Sequence, residues 1–121
     1  MRTYCELEVW VRARELSSSI YSLTKGFPQE ELYGIVMQMR RAAVSVASNI
    51  AEGCGCNHKN ESIHFFHIAR GSLYELETQC YLAYDQCFIV QMELNKILTQ
   101  IVNCKKLLNG FVKYYENKLN R

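Results

Sequence analysis

Proline is nearly absent from this chain. Of 121 residues only Pro28 is one, and glycine occurs just six times. Few positions can then reverse the backbone cheaply, which excludes a fold of many short strands and tight turns and favours a few long elements. Long apolar runs are missing as well. No stretch approaches the ~18 uncharged apolar residues that would span a bilayer, and the opening Met1-Arg2-Thr3-Tyr4-Cys5-Glu6 lacks the apolar centre of a signal peptide. The expectation is a cytoplasmic protein with no membrane role, whose six cysteines stay mostly free thiols. Charge of one sign is scarce too: 14 lysines and arginines stand against 12 acidic residues, a net charge of +2. That excludes a polybasic nucleic-acid binder. Affinity for phosphate would need local clustering, or several copies presenting one patch together.

What is present is an ordinary folded-protein composition, 49% apolar and 21% charged, and a length that suits one domain over residues 1–121. Four segments carry the helical period and none carries sustained alternation. The first, over residues 7–24, places Leu7, Trp10, Ala13, Leu16, Ile20 and Leu23 on one side and ends at Lys25-Gly26, a glycine able to take φ > 0. The second starts at residues 29–31, where acidic side chains suit the positive end of a helix dipole. Its stripe continues through Leu32, Ile35 or Val36, Met39, Ala42 or Ala43, Val46 and Ile50, and it stops at Gly53-Cys54-Gly55. The third opens with Asn60 as N-cap and carries Ile63, Phe66, Ala69, Leu73, Leu76, Cys80 and Ala83. The fourth, over residues 90–117, turns Leu94, Ile97, Leu98, Ile101, Leu108, Phe111 and Tyr115 inward. Long helices joined by short loops pack as antiparallel neighbours, so the fold class is all-α, an up-down antiparallel four-helix bundle. Ala42, Ala43, Ala47 and Ala51 would let another helix approach the second one closely.

The second helix holds polar residues that a core does not ask for. Arg40, Arg41, Ser45, Ser48, Asn49 and Glu52 lie close to or within its apolar stripe. Burying such groups unpaired costs roughly 1 to 3 kcal/mol each, so they form either an internal network or a surface meant for a partner. Arg40 and Arg41, with Arg70 on the third helix, are the candidate nucleic-acid-binding residues, because guanidinium forks match phosphate geometry. The competing reading is a salt-bridge network with Glu52, Glu75 and Glu77. Ser45, Asn49 and Ser72 complete a candidate structural polar network. No histidine base accompanies these serines in a matching context, so none is a nucleophile. Lys59, Lys105, Lys106, Lys113 and Lys118 read as solvated charges, the last four along one side of the fourth helix.

Cys54-Gly55-Cys56-Asn57-His58, followed by His64 and His67, is the single metal-like grouping. CxC spacing is too tight for the usual zinc knuckle, and the expectation is no metal, no cofactor and no catalytic residue. Cys5, Cys80, Cys87 and Cys104 act as small apolar residues. Eight tyrosines and five phenylalanines are a rich supply for a small bundle. Tyr74, Tyr81, Tyr84, Tyr114 and Tyr115 invite burial by a partner chain, or base stacking.

Four blocks carry a family resemblance. They are Leu7-Glu8-Val9-Trp10, Gly26-Phe27-Pro28-Gln29-Glu30-Glu31-Leu32-Tyr33-Gly34, then Arg40-Arg41-Ala42-Ala43-Val44-Ser45 with Ser48-Asn49-Ile50-Ala51-Glu52-Gly53, and Ile68-Ala69-Arg70-Gly71-Ser72-Leu73-Tyr74-Glu75-Leu76-Glu77-Thr78-Gln79. On these the chain resembles the four-helix-bundle proteins encoded within intervening sequences of bacterial 23S rRNA genes, relatives of the accessory proteins of diversity-generating retroelements. The resemblance implies a homopentamer. It also implies no established biochemical activity for the intervening-sequence members, and nucleic-acid binding beside a reverse transcriptase for the retroelement relatives. Ala47 departs from the pattern, where the family often has proline, as do His64, His67 and the two cysteines around Gly55. The expected function is therefore a non-enzymatic, self-associating bundle with weak binding of RNA or another nucleic acid. The rival is a protein-protein interaction scaffold with no nucleic-acid role.

Overall fold

The computed structural model describes residues 3–119, with side chains through Asn117; Met1, Arg2 and the Lys118 side chain lie outside the described residues. After a short 3-10 turn at Tyr4–Glu6 come helices α1 (Glu8–Thr24), α2 (Met37–Gly55), α3 (Lys59–Asp85) and α4 (Gln91–Leu119), with no strand among the described residues. Each helix packs on its neighbours in sequence, and α1 meets α4 to close the ring. This is an all-α up-down bundle of four helices. A ring pair marks one end: Phe27, after α1, meets Phe88, after α3, with centroids 5.4 Å apart.

The core follows the helical period. Ala13, Leu16, Ile20, Met39, Ala43, Val46, Ile50, Phe66, Ala69, Leu73, Leu76, Cys80, Ile101 and Leu108 are at most 1% exposed. Some edges of the stripes differ from expectation. Val9 is buried, whereas Leu7, Trp10 and Leu23 only pack against the core from its margin. On α3 the fully buried residue is Ser62 rather than Ile63, which is half-buried. Leu98, Phe111 and Tyr115 likewise sit at the margin.

The helix boundaries carry three corrections. The second helix does not run on from residues 29–31: a 3-10 turn at Gln29–Glu31 leads into a wide turn at Leu32–Val36, where Gly34 leaves helical geometry (φ −104°, ψ −117°). A Cβ on Gly34 would stand 3.0 Å from the Glu31 carboxylate. The break turns Leu32 and Tyr33 outward, to 39% and 82% exposure, so Leu32 leaves the apolar stripe. Second, Asn60 is inside α3, not its cap; His58 is the extended capping residue, and its carbonyl accepts the Ser62 N–H at 3.0 Å. Third, Gly26 does not take a positive φ. Among the described residues that conformation belongs to Cys87, at φ 63° in the turn before α4. At the start of α4, Glu93 reaches back to the Val90 N–H at 3.0 Å, half of a capping box.

The α2–α3 contact is the most extensive in the bundle. Gly53 makes it so. A Cβ there would lie 2.4 Å from the Phe66 ring and 2.9 Å from the Ser62 carbonyl oxygen. Phe66 also meets Phe111 and Tyr115 edge-on, at 5.1 and 5.2 Å, and the Tyr115 hydroxyl donates to Ser62 Oγ at 3.4 Å. One end of the bundle is thus an aromatic cluster pressed onto a bare stretch of α2 backbone.

Two core thiols give a pH prediction. Burial, then the Glu77 charge, pushes Cys80 up to about 12, and burial pushes Cys104 up to about 11 from an ordinary 9.0. Their folded state holds the neutral thiol, so this stabilisation is complete below pH 9 and is lost as pH rises toward 11 and 12. Melting temperature should fall across that window, and more shallowly in a Cys80→Ala, Cys104→Ala variant. Parallel curves would contradict the assignment.

Candidate functional site

Arg40 is half-buried on α2 and is held by α1. Its Nε donates to Thr24 Oγ1 at 2.9 Å, and the Thr24 hydroxyl donates to the Ile20 carbonyl at 2.7 Å. The guanidinium lies over the Tyr21 ring, 4.7 Å from its centroid, within cation–π range. Arg41 is exposed and makes no hydrogen bond or ion pair among the described residues. The two side chains border a groove of about 600 Å³ whose other walls are Tyr21, Leu32, Tyr33, Val36, Met37, Val44 and Ser45. Among the described residues, no carboxylate lines it. The outward turn at Gly34 is what brings Leu32 and Tyr33 to its rim.

Arg70 stands apart from this pair. It is on α3, where its Nη1 donates to Asn109 Oδ1 of α4 at 3.1 Å. Arg70 does not line the groove that Arg40 and Arg41 border. None of them pairs with Glu52, Glu75 or Glu77 among the described residues. Glu77 accepts instead from Lys105 at 2.8 Å, in a largely buried pair whose ammonium also sits 4.0 Å from the Tyr74 ring centroid. Lys105 is thus not a plain solvated charge. Glu75 shares a small cleft with Arg41, Gln38, Ala42, Ser45 and Ser72 without an ion pair. Glu52 is exposed, and its backbone carbonyl accepts the Cys56 thiol at 3.2 Å.

Ser45 and Ser72 tie α2 to α3, whereas Asn49 bonds back to Ser45 within α2. Ser72 Oγ donates to Ser45 Oγ at 2.9 Å, and Asn49 Nδ2 donates to the Ser45 carbonyl and hydroxyl at 2.8 and 2.9 Å. Ser48 is exposed. Ser45→Ala should cost about 1 kcal/mol, because the buried Ser72 hydroxyl loses its acceptor. Adding Ser72→Ala should recover most of that loss, which a double-mutant cycle of denaturant midpoints would measure. Additive losses would contradict the pairing.

Among the described residues, no group of three or more histidine, cysteine, aspartate or glutamate side chains is arranged to hold a metal ion. Cys56 is pushed up to about 11, first by hydrogen bonding with Glu61, and Cys54 is pushed up by burial. Both are poor thiolates. Tyr115 belongs to the core margin, whereas Tyr74, Tyr81, Tyr84 and Tyr114 are exposed. Thr24, Tyr21, Tyr33 and Asn109 were not legible as site residues in the sequence. Thr24 carries the one available signal, a polar residue four positions beyond buried Ile20.

Similarity to known proteins points one way. A family model described as 23S rRNA-intervening sequence protein matches residues 5–110. The crystal structure of a protein of unknown function from the S23 ribosomal protein family of Bacteroides thetaiotaomicron VPI-5482 superposes with a TM-score of 0.78 at 20% identity, covering 87% of this chain and 98% of that one. No curated protein matches.

Proposed function

The chain belongs to the 23S rRNA-intervening sequence protein family, and from that premise we propose a non-enzymatic, cytoplasmic bundle that assembles as a homopentamer and binds RNA or DNA weakly. Arg40 and Arg41 carry the binding. The observation behind this is the environment of the pair: two adjacent guanidiniums border a groove that no carboxylate lines, and neither forms an ion pair among the described residues, Glu75 sharing only a separate cleft with Arg41. Uncompensated cations at a surface attract phosphate and release its counterions on binding. A single pair is a weak site. Five copies would repeat it around a ring, and avidity would supply what a net charge of +2 does not. Arg70 would add a contact only where a neighbouring copy brings it alongside.

Self-association is supported by apolar surface away from the groove. Tyr74, Tyr81 and Leu82 on α3 are 55%, 49% and 50% exposed, and Val102 on α4 is 38% exposed. Apolar patches of this kind are usually covered by another chain. A second reading, a scaffold for another protein, is favoured by the apolar walls of the groove itself.

Light scattering on the purified chain, followed by retention of labelled structured RNA at low salt, separates the two. A multi-subunit particle that retains RNA supports the first reading. The same particle without retention turns the assignment to a protein partner, and a monomer contradicts both the pentamer and its avidity.

A further inference from the structure

The groove beside Arg40 and Arg41 has a chemistry more specific than positive charge. Five of its walls are large apolar side chains left exposed: Tyr33 at 82%, Val44 at 44%, Met37 and Tyr21 at 40%, and Leu32 at 39%. Such a concentration costs solubility unless something covers it. Tyr33 stands at the break in helical geometry around Gly34, and Tyr21 already stacks one guanidinium. The groove therefore combines an exposed aromatic ring, a stacked arginine plane and an arginine without an ion pair, with no negative charge along its walls among the described residues.

Resting on the nucleic-acid reading above, we infer that this groove takes an unpaired nucleotide, so that the protein prefers single-stranded over duplex nucleic acid. An occupant that complements these walls must be anionic and also present a flat apolar face. A nucleotide with its base out of a stack has both. A duplex offers phosphates to Arg41 but keeps its bases stacked inside, where Tyr33 cannot reach them. The groove volume of about 600 Å³ is in the range of small-ligand sites, suited to one or two nucleotides and too small for a helix of nucleic acid. Stacking on an aromatic side chain is sequence-tolerant, because every base has a π-face, so no base preference is expected.

The test compares a fluorescein-labelled single-stranded oligonucleotide with a duplex of the same length, by anisotropy at low salt, for the native chain, Tyr33→Ala and Tyr33→Phe. Native protein should bind the single strand more tightly. Tyr33→Ala should weaken that binding by about five- to hundredfold and leave the duplex unchanged, while Tyr33→Phe keeps the ring and the affinity. Tyr33 is too exposed for its replacement to disturb the core, and circular dichroism checks that point. Equal affinity for both forms, with no effect of Tyr33→Ala, would overturn this inference and leave the nucleic-acid reading standing. Absence of binding to either form would overturn both. A fall in particle mass in Tyr33→Ala would reassign the groove to a contact between copies.

Discussion

Replacing Gly53 by alanine will destabilise the bundle by about 2 kcal/mol, although alanine is the better helix former by about 1 kcal/mol. The new methyl group would meet Phe66 Cε1 at 2.4 Å and Cδ1 at 2.7 Å, and the Ser62 carbonyl oxygen at 2.9 Å. The ring cannot swing away freely, because Phe111 and Tyr115 pack on it edge-on. Ser62 is main chain of α3 and moves only with its helix. The cost therefore falls on the α2–α3 contact that joins the middle of the chain. Urea denaturation should show a lower midpoint at unchanged slope, and the melting temperature should fall by roughly 8 °C. Two other helical glycines supply the control. A Cβ on Gly71 or Gly110 meets nothing within 4 Å, so alanine there should stabilise by up to about 1 kcal/mol. Opposite signs within one chain would separate packing from propensity; a stabilised Gly53→Ala would contradict the packing argument.

The double substitution Arg40→Ala, Arg41→Ala should abolish most nucleic-acid binding while leaving the fold in place. Loss of two phosphate contacts per chain should lower the slope of log affinity against log salt by about two for each chain that engages the nucleic acid, and affinity at low salt by tenfold or more. Stability should change by less than about 1 kcal/mol. Thr24 keeps its own hydrogen bond to the Ile20 carbonyl when Arg40 is gone, so no buried group is orphaned. Arg41 has no hydrogen-bond or ion-pair partner to lose among the described residues. Lysine at both positions should restore part of the affinity, since the charge returns without the planar fork. Arg70→Ala should matter less, because that side chain is directed at Asn109. If the double variant lost its helical signal instead, the arginines would be structural.

The sequence made the four helices legible because their apolar stripes repeat at three and four residues, and the Met39, Val46 and Ile50 face is buried as that spacing requires. It left the start of α2 illegible. Residues 29–36 keep the helical spacing of apolar side chains, and nothing in a pattern announces that Gly34 leaves helical geometry and throws Tyr33 outward. Gly53 read as a stop signal, since a glycine late in a helix resembles a terminator. Its close approach to Phe66 depends on a side chain thirteen residues away, on a different helix. The arginines were legible as unusual residues but not as partners. Which polar atom receives a guanidinium depends on how helices rotate against each other, and that rotation gave Arg40 to Thr24 and Lys105 to Glu77. The sequence also suggested grouping Arg70 with Arg40 and Arg41. The bundle places it toward α4, where it faces Asn109.

Phosphate binding is proposed here for a particle whose single chain carries little net charge. The measurement that reaches it most directly is the affinity of the intact native particle for labelled RNA, followed from about 50 to 200 mM salt. Log affinity falling in a straight line against log salt, with a slope of several phosphate contacts and a steepness greater than two arginines alone could give, is the predicted result. Affinity that does not change with salt, or no binding at the lowest salt, would contradict it.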